Sequence, residues 1–323
     1  MRNAEIVNGK FYQSGANEPF SGTVTNVPSG FVFSVEPGLQ LVSNTAVEAM
    51  TYANPGVENI RLTIFRETGL GSPARTPEAA YVLCDVRVQE GMLDGPVKCK
   101  KAGTENIMLE TTMSAGHVDG KLAAYMFRNG DRLPVVTATL KHGQLDGKEE
   151  IYSLHTNRLI HRIEWNNGIG DGTEEAFDES TGNRTMQINN VDGKYDGDYI
   201  EYTPNGDRII HRLKFDKGVP VGGEESFDPK TGKLTGQAQY VNGKLQGTLK
   251  RWDSSGKLIY EREYQNGEML RPNDAVTECT NNRAQAYEQA TGHYEESAQR
   301  DEWDAACREE RRLVSDSVTR GAQ

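Results

Sequence analysis

Histidines, four cysteines and a set of Glu-Glu pairs are the residues of this chain whose types and spacing could do chemistry. His161 and His211 stand fifty residues apart in matching contexts, Leu159-Ile160-His161-Arg162 and Ile209-Ile210-His211-Arg212. Histidine can hold a metal or move a proton. Four strands of intervening sheet would separate these two by about 19 Å, too far for one metal site or one catalytic pair. They read as half-buried side chains filling a repeat position, or as members of a repeated binding pocket. Glu149-Glu150, Glu174-Glu175 and Glu224-Glu225 share one offset from a glycine and should line up as an acidic row. Such a row either solvates the sheet and guards it from edge pairing or meets a basic partner. Calcium is disfavoured, because no Asp-x-Asp-x-Asp-Gly loop occurs. Gly-x-Ser-x-Gly, P-loop, dinucleotide and His-Glu-x-x-His signatures are also absent, so no catalytic, metal or cofactor residue is assigned and no enzyme is expected.

The cysteines fall as two local pairs, Cys84 with Cys99 and Cys279 with Cys307, with no Cys-x-x-Cys spacing. Cys84 and Cys99 flank a turn on adjacent strands, where a disulfide is sterically reasonable. Two disulfides imply an oxidising compartment, periplasmic or otherwise extracytoplasmic. The alternative is four buried thiols in a cytoplasmic protein. The start, Met1-Arg2-Asn3-Ala4-Glu5, has no signal-peptide apolar stretch, which fits either a cytoplasmic chain or one whose export segment was removed. The chain of 323 residues carries a formal charge of −11. An acidic protein is a poor partner for nucleic acid and a better one for a basic protein surface. A hydrophobic fraction of 36% is lean for one compact globule and suits a thin-cored, elongated architecture.

The elements that position these residues come from a repeat. Gly-x-x-x-Gly recurs at Gly91, Gly116, Gly143, Gly168, Gly193, Gly218 and Gly243, with steps of 25, 27, 25, 25, 25 and 25 residues. Five residues after each second glycine, from Gly120 on, stands an aromatic: Tyr125, Tyr152, Phe177, Tyr202, Phe227 and Trp252. A second large side chain precedes the next unit at Leu140, Trp165, Phe215, Tyr240 and Tyr264, with Asn190 breaking the column. Each unit therefore reads as two short strands joined by Asn-Gly or Asp-Gly turns. A lone hairpin is marginal in water, so the units must stack into one sheet, a ribbon on the order of 65 Å long. The aromatic column is expected in the core, and the second glycine is expected to lie bare under a neighbouring ring. Tyr240, Trp252 and Tyr264 could double as partner anchors. Residues 143–192 and 193–242 are more alike than the 25-residue pattern requires, so a 50-residue unit has been duplicated.

The segments Asp192-Gly193-Lys194-Tyr195-Asp196-Gly197 and Asn242-Gly243-Lys244-Leu245-Gln246-Gly247, each followed by an aromatic, resemble MORN-type repeats, and more closely their bacterial variants. The resemblance covers residues 86–270. It implies a scaffold or binding module, and several bacterial relatives are antitoxin-like or are immunity proteins against secreted toxins, including those of type VI secretion. A phospholipid-binding role is sometimes attached to eukaryotic members, but the acidity here argues against anionic lipid.

Before the repeat, residues 1–85 read as β-rich, with a degenerate unit at Asn8–Gly22 and strands at Phe31–Val35, Leu39–Val42 and Ile60–Phe65. After it, residues 271–318 read as a helical hairpin broken at Gly292 and stapled by Cys279 and Cys307, and 319–323 as a disordered tail. This end resembles a short helical tail of some bacterial exported or envelope proteins. The expected fold is thus mainly β: an elongated single-sheet, MORN-like β-hairpin solenoid over 86–270 between these two ends. The expected function is non-catalytic protein binding. The partner would be a secreted toxin with a basic surface, met by the acidic pairs and by Tyr240, Trp252 and Tyr264. The alternative is an envelope scaffold or assembly factor without a toxin partner. Membrane contact is expected only through a removed lipoprotein or signal segment.

Overall fold

The computed structural model describes residues 4–7, 9–33, 36–53, 59–70, 82–270 and 274–320. It comprises two units, Met1–Val219 and Pro220–Gln323.

Each repeat opens at a turn in which two successive residues take left-handed backbone, as at Ala115-Gly116, Asn167-Gly168 and Asn242-Gly243. Positive φ at both central positions defines the type I′ turn, whose twist suits the strands it joins. Asparagine tolerates that conformation, whereas Ala115 adopts it at φ 49° with no side-chain compensation. The turns are tied to one another. In the first unit, the amides of Gly116, Gly143, Gly168, Gly193 and Gly218 donate to the carbonyls of Leu93, Val118, Leu145, Gly170 and Tyr195 at 2.7–2.9 Å. In the second unit, Gly243 donates to Pro220 at 3.0 Å and Gly267 to Leu245 at 2.9 Å. The acceptor always lies two residues past the preceding turn glycine. A side chain doubles this rung. Asp94, Asp119, Asp146 and Asp196 accept from the amides of Ala115, His142, Asn167 and Lys217 at 3.1–3.4 Å.

The second glycine does not lie beneath a ring, contrary to expectation. A Cβ on Gly147 would touch Thr139, and one on Gly172 would run into Glu164. Both glycines sit where the strand register slips, at φ 111° and 117°, so the bulged backbone is what excludes other residues.

The first unit begins with a ribbon of β1 (Ala4–Val7) and β2 (Lys10–Gln13). There follow β3 (Gly22–Pro28), then helices α1 (Ser29–Phe33), α2 (Pro37–Ala53) and α3 (Ile60–Thr68). The repeat strands are β4 (Val82–Gln89), β5 (Met92–Lys101), β6 (Ile107–Ser114), β7 (His117–Val118), β8 (Gly120–Arg128) and β9 (Asp131–Lys141). They continue as β10 (Gln144–Tyr152), β11 (Leu159–Asn166), β12 (Ile169–Phe177), β13 (Arg184–Val191), β14 (Lys194–Tyr202) and β15 (Ile209–Asp216). From β3 to β15, strands pair antiparallel in sequence order, with β6 pairing both β7 and β8. The 27-residue step is absorbed where β8 runs on past Tyr125 to Arg128 and meets the 11-residue β9 at the two-residue turn Asn129-Gly130.

Residues 31–33, 39–42 and 60–65, expected as strands, are helical; Ser34 and Val35 lie outside the described residues. Short apolar runs fit either period. Followed further, the buried positions Leu39, Val42, Ser43, Ala46 and Met50 trace one helical stripe, and Pro37 occupies the first helical position, where its missing N–H costs nothing. This stripe, with Ile60 and Ile64 of α3, covers one face of the sheet. Beneath it lie Val82, Cys84, Val86, Val97, Leu109, Leu122, Leu140 and Ile151. Cys84 and Cys99 face each other across β4 and β5 in a disulfide.

The second unit has the same hairpin plan: β16 (Val219–Phe227), β17 (Leu234–Val241), β18 (Lys244–Leu245), β19 (Gly247–Trp252), β20 (Leu258–Gln265) and β21 (Glu268–Leu270). It ends in α4 (Asp274–Thr291) and α5 (Ser297–Arg320), joined past Gly292 and linked by Cys279–Cys307. Tyr287 packs edge-on against Trp303 at 5.8 Å. The helix reaches Arg320, past the boundary expected for a disordered tail, and residues 321–323 lie outside the described residues.

The left-handed alanine gives a direct test of the turn type. Ala115→Gly is expected to raise the unfolding free energy by about 1 kcal/mol, read from urea melts. A loss of stability would mean that this turn is not type I′.

Candidate binding face

Strand alternation divides every unit between two faces. In the first unit the residues two and four past the second glycine point to the face covered by α2, here the inner face, and in the second unit the same offsets define its own inner face. Those three and five past it point to the outer face. The Glu-Glu pairs are therefore split and form no single acidic row.

On the outer face Glu150 and Glu175 are engaged in a ladder. Arg162 reaches Glu150 at 3.0 Å and Glu175 at 3.3 Å, and Arg184 reaches Glu175 at 3.0 Å. The aromatic column stands here too, half-buried among these charges and away from the core. Arg132 lies 3.5 Å over the Tyr125 ring, and Arg184 lies 5.4 Å from that of Tyr202. The sheet residues buried beneath α2 and α3 are aliphatic instead, among them Leu109, Leu122, Leu140 and Ile151. Glu225 stands opposite Gln237.

On the inner face each first glutamate meets a donor from the neighbouring strand. Trp165 Nε1 donates to Glu149 at 2.9 Å, Asn190 Nδ2 to Glu174 at 2.9 Å and the Tyr240 hydroxyl to Glu224 at 3.1 Å. Asn190 thus keeps the function of the column it interrupts. Where the row carries Tyr199 in place of glutamate, the donor position, opposite Gly197, is held by Phe215, which has no donor to give. The column is a set of matched partners for this row, which spacing alone did not disclose.

Glu149 is fully buried, beneath α2, and cannot meet a partner. Burial pushes its carboxyl up to about 8, outweighing the hydrogen bonds that act the other way. Thr45 Oγ1 lies 2.8 Å from Glu149 and 2.9 Å from the Leu41 carbonyl, yet has one proton. That proton is shared between the two acceptors, and the Thr45 and Trp165 bonds to Glu149 are the ones that burial outweighs. Glu174 behaves oppositely. Burial raises it, but hydrogen bonds from His161 (3.1 Å) and Asn190, with the charge of His161, hold it below the usual carboxylate range.

Beyond the helices the inner face changes character. Tyr195, Tyr199 and Phe215 form a corner of rings: Phe215 stands edge-on to Tyr195 at 5.5 Å and to Tyr199 at 6.2 Å. The Tyr199 hydroxyl donates to Glu201, and His211 lies 3.8 Å from the same carboxylate. Burial and Glu201 push the Tyr199 phenol up, and burial with Glu174 and Glu48 does the same for Tyr195. Glu48 and Tyr52 belong to α2, and Tyr52 is 77% exposed. Every Lys and Arg of β11–β15 falls on the outer face, and α2 contains none.

In the second unit Glu224 and Trp252 line one cavity of about 330 Å³ with Leu249, Arg251 and Ile259. Tyr240 borders it through its bond to Glu224, whereas Tyr264 is bonded to Tyr260 at 3.1 Å. The structure thus places Glu224 and Trp252 on one cavity, with Tyr240 bonded to Glu224, and does not place Tyr264 there. All four cysteines are paired, which indicates maturation in an oxidising, extracytoplasmic setting. Among the described residues no helix is long and apolar enough to cross a membrane.

No known family model matches the chain, and no curated protein does. Among solved structures it is similar to a mutant of S. aureus TarM in complex with fondaparinux, alpha-GlcNAc-glycerol and UDP, with TM-score 0.21 and 11% identity over 32% of this chain and 19% of that one. A TarM crystal structure gives TM-score 0.21 and 11% identity over 33% and 20%. The match spans about a fifth of those chains and carries no argument about activity.

Glu149 predicts a pH dependence. Its proton is held in the folded state between the ordinary carboxylate value of 4.5 and about 8, and is absent from the unfolded chain over that range. Stability should therefore fall as pH rises through this window, by up to about 1.4 kcal/mol per unit. Glu149→Gln keeps the contacts but does not titrate. Urea unfolding at pH 5 and pH 8 should show a smaller loss in the variant, and identical losses would refute the buried neutral acid.

Proposed function

We propose that this chain is a non-catalytic binding protein of the periplasm or another extracytoplasmic space, an immunity protein that neutralises a secreted toxin by docking on it. The observation that carries the reading is the ring corner of Tyr195, Tyr199 and Phe215 on an inner face that α2 leaves uncovered. Large, rigid aromatics at partial exposure are the side chains that anchor protein interfaces. The polar groups beside them are occupied with each other, His161 and Asn190 with Glu174, and Tyr199 with Glu201. That arrangement favours holding a shape over turning over a substrate. The formal charge of −11 suits a basic partner surface. The two disulfides suit a protein that meets its partner outside the cytoplasm.

The test is to mix the purified chain with secreted toxins encoded beside its gene. A one-to-one complex in size-exclusion chromatography, sub-micromolar in calorimetry, with the toxin silenced, is the expected result. No complex at about 10 μM, or a complex that leaves the toxin active, overturns the reading in favour of a structural envelope scaffold.

A further inference from the structure

We infer that the inner face of β14 and β15 receives an arginine or lysine side chain of a basic polypeptide partner, seated against Tyr195, Tyr199 and Phe215 with Glu201 and Glu48 as counter-charges. The inference rests on the protein-binding reading above and specifies what the partner presents.

The argument starts from the outer face, where the chain builds the same arrangement for its own use. The Tyr125 hydroxyl donates to Glu110 at 2.8 Å, and Arg132 closes the group, 3.0 Å from Glu110 and 3.5 Å above the Tyr125 ring. Glu175, Tyr202 and Arg184 repeat the theme, with Arg184 3.0 Å from the carboxylate and 5.4 Å from the ring. A ring face and a carboxylate together attract a guanidinium more strongly than either alone. Tyr199 and Glu201 on the inner face reproduce the first two members, hydroxyl to carboxylate. Among the described residues neither β11–β15 nor α2 supplies the third member, because the Lys and Arg residues of β11–β15 project outward and α2 has none. His211 is the local basic group, 3.8 Å from Glu201 and edge-on to Tyr199 at 5.9 Å, and among the described residues no Lys or Arg stands over the Tyr195 ring.

Access and field agree. Tyr195 is 36% exposed and Tyr52 77% exposed, so a side chain can enter beside them. After burial, Glu174 and Glu48 both push the Tyr195 phenol up. Glu174 is already paired with His161, so Glu48 and Glu201 are the carboxylates that a basic side chain would meet, and an acidic one would be repelled.

The experiment uses the full chain and three peptides: Ac-Arg-Gly-Arg-amide, its citrulline analogue, which keeps shape but not charge, and its glutamate analogue. Calorimetry at low salt should detect the arginine peptide, with the citrulline peptide about tenfold weaker and the glutamate peptide silent. Tyr195→Ala and Tyr199→Leu should each weaken the arginine peptide about tenfold. Tyr152→Ala on the outer face should leave binding unchanged. Thermal melts of every variant identify any that misfold, and Glu201→Gln, nearly isosteric, provides a second route to the same loss. Equal affinity for the arginine and citrulline peptides, no binding of the arginine peptide, or indifference to Tyr195→Ala and Glu201→Gln each overturns the inference. If a toxin binds tightly but those substitutions leave its affinity intact, this inference falls and the binding reading stands. If no toxin binds while the arginine peptide does, with the same sensitivity to substitution, the toxin reading falls and the cation site stands.

Discussion

The hydrogen bond from each turn glycine to the carbonyl two residues past the preceding turn glycine is the constraint on which the rest of this protein depends. It fixes the distance in sequence from one turn to the next, because the amide and the carbonyl meet only if the intervening hairpin has the right length. Gly193 to Gly170 and Gly218 to Tyr195 are two such rungs. The one longer step is accommodated where β8 runs on past Tyr125 and meets the 11-residue β9 at a tight turn, which leaves the rung from Gly143 to Val118 intact. With the turns in register the strands are in register, and a strand in register has no choice of face for its side chains. The split of every Glu-Glu pair follows from that bond and from the pleat.

Register also explains which features could be read from the residues alone. Seven glycine pairs at a near-constant step specified the hairpins, because type I′ turns leave few alternatives at their left-handed positions. Both cysteine pairs could be assigned because sequence neighbours in a hairpin are neighbours in space. The aspartate before the second glycine was equally visible at Asp94, Asp119, Asp146 and Asp196, and its role could have been inferred from its fixed offset to the next turn. What stayed hidden was whatever required a third body. Leu39–Val42 could not be assigned to a helix from four apolar residues, and the inner face could not be told from the outer without knowing where α2 lies. The aromatics therefore read as core, although the sheet residues buried beneath α2 and α3 are aliphatic, among them Leu122, Leu140 and Ile151. Glutamates likewise read as solvent-facing, although burial and a tryptophan donor allow Glu149 to sit inside as a neutral acid.

Matching along the inner row shows how a repeat sheet tolerates polar groups on a buried face. A buried carboxylate without a donor would cost several kcal/mol. Glu149, Glu174 and Glu224 each have one, supplied by the residue just before the next turn. The donor differs each time, as tryptophan, asparagine and tyrosine, so what is preserved is the N–H or O–H and not the size of the side chain. Tyr199 and Phe215 complete the logic, for there the demand for a donor disappears and the residue at the donor position becomes a plain ring.

The duplicated halves carry this further. Leu145, Glu149, Ile151 and Trp165 lie on the part of the sheet that packs under α2, and the first three are fully buried. Their counterparts fifty residues on are Tyr195, Tyr199, Glu201 and Phe215. Two copies of one hairpin pair thus differ at the inner positions where one is covered and the other is not. Had the second copy only needed to face water, small polar residues would have served, and large rings would be a liability for aggregation. Replacing an aliphatic floor with three rings and a carboxylate makes physical sense if something outside the chain completes the contact. The first copy has such a cover in α2. The second carries its rings partly exposed, beside Glu201.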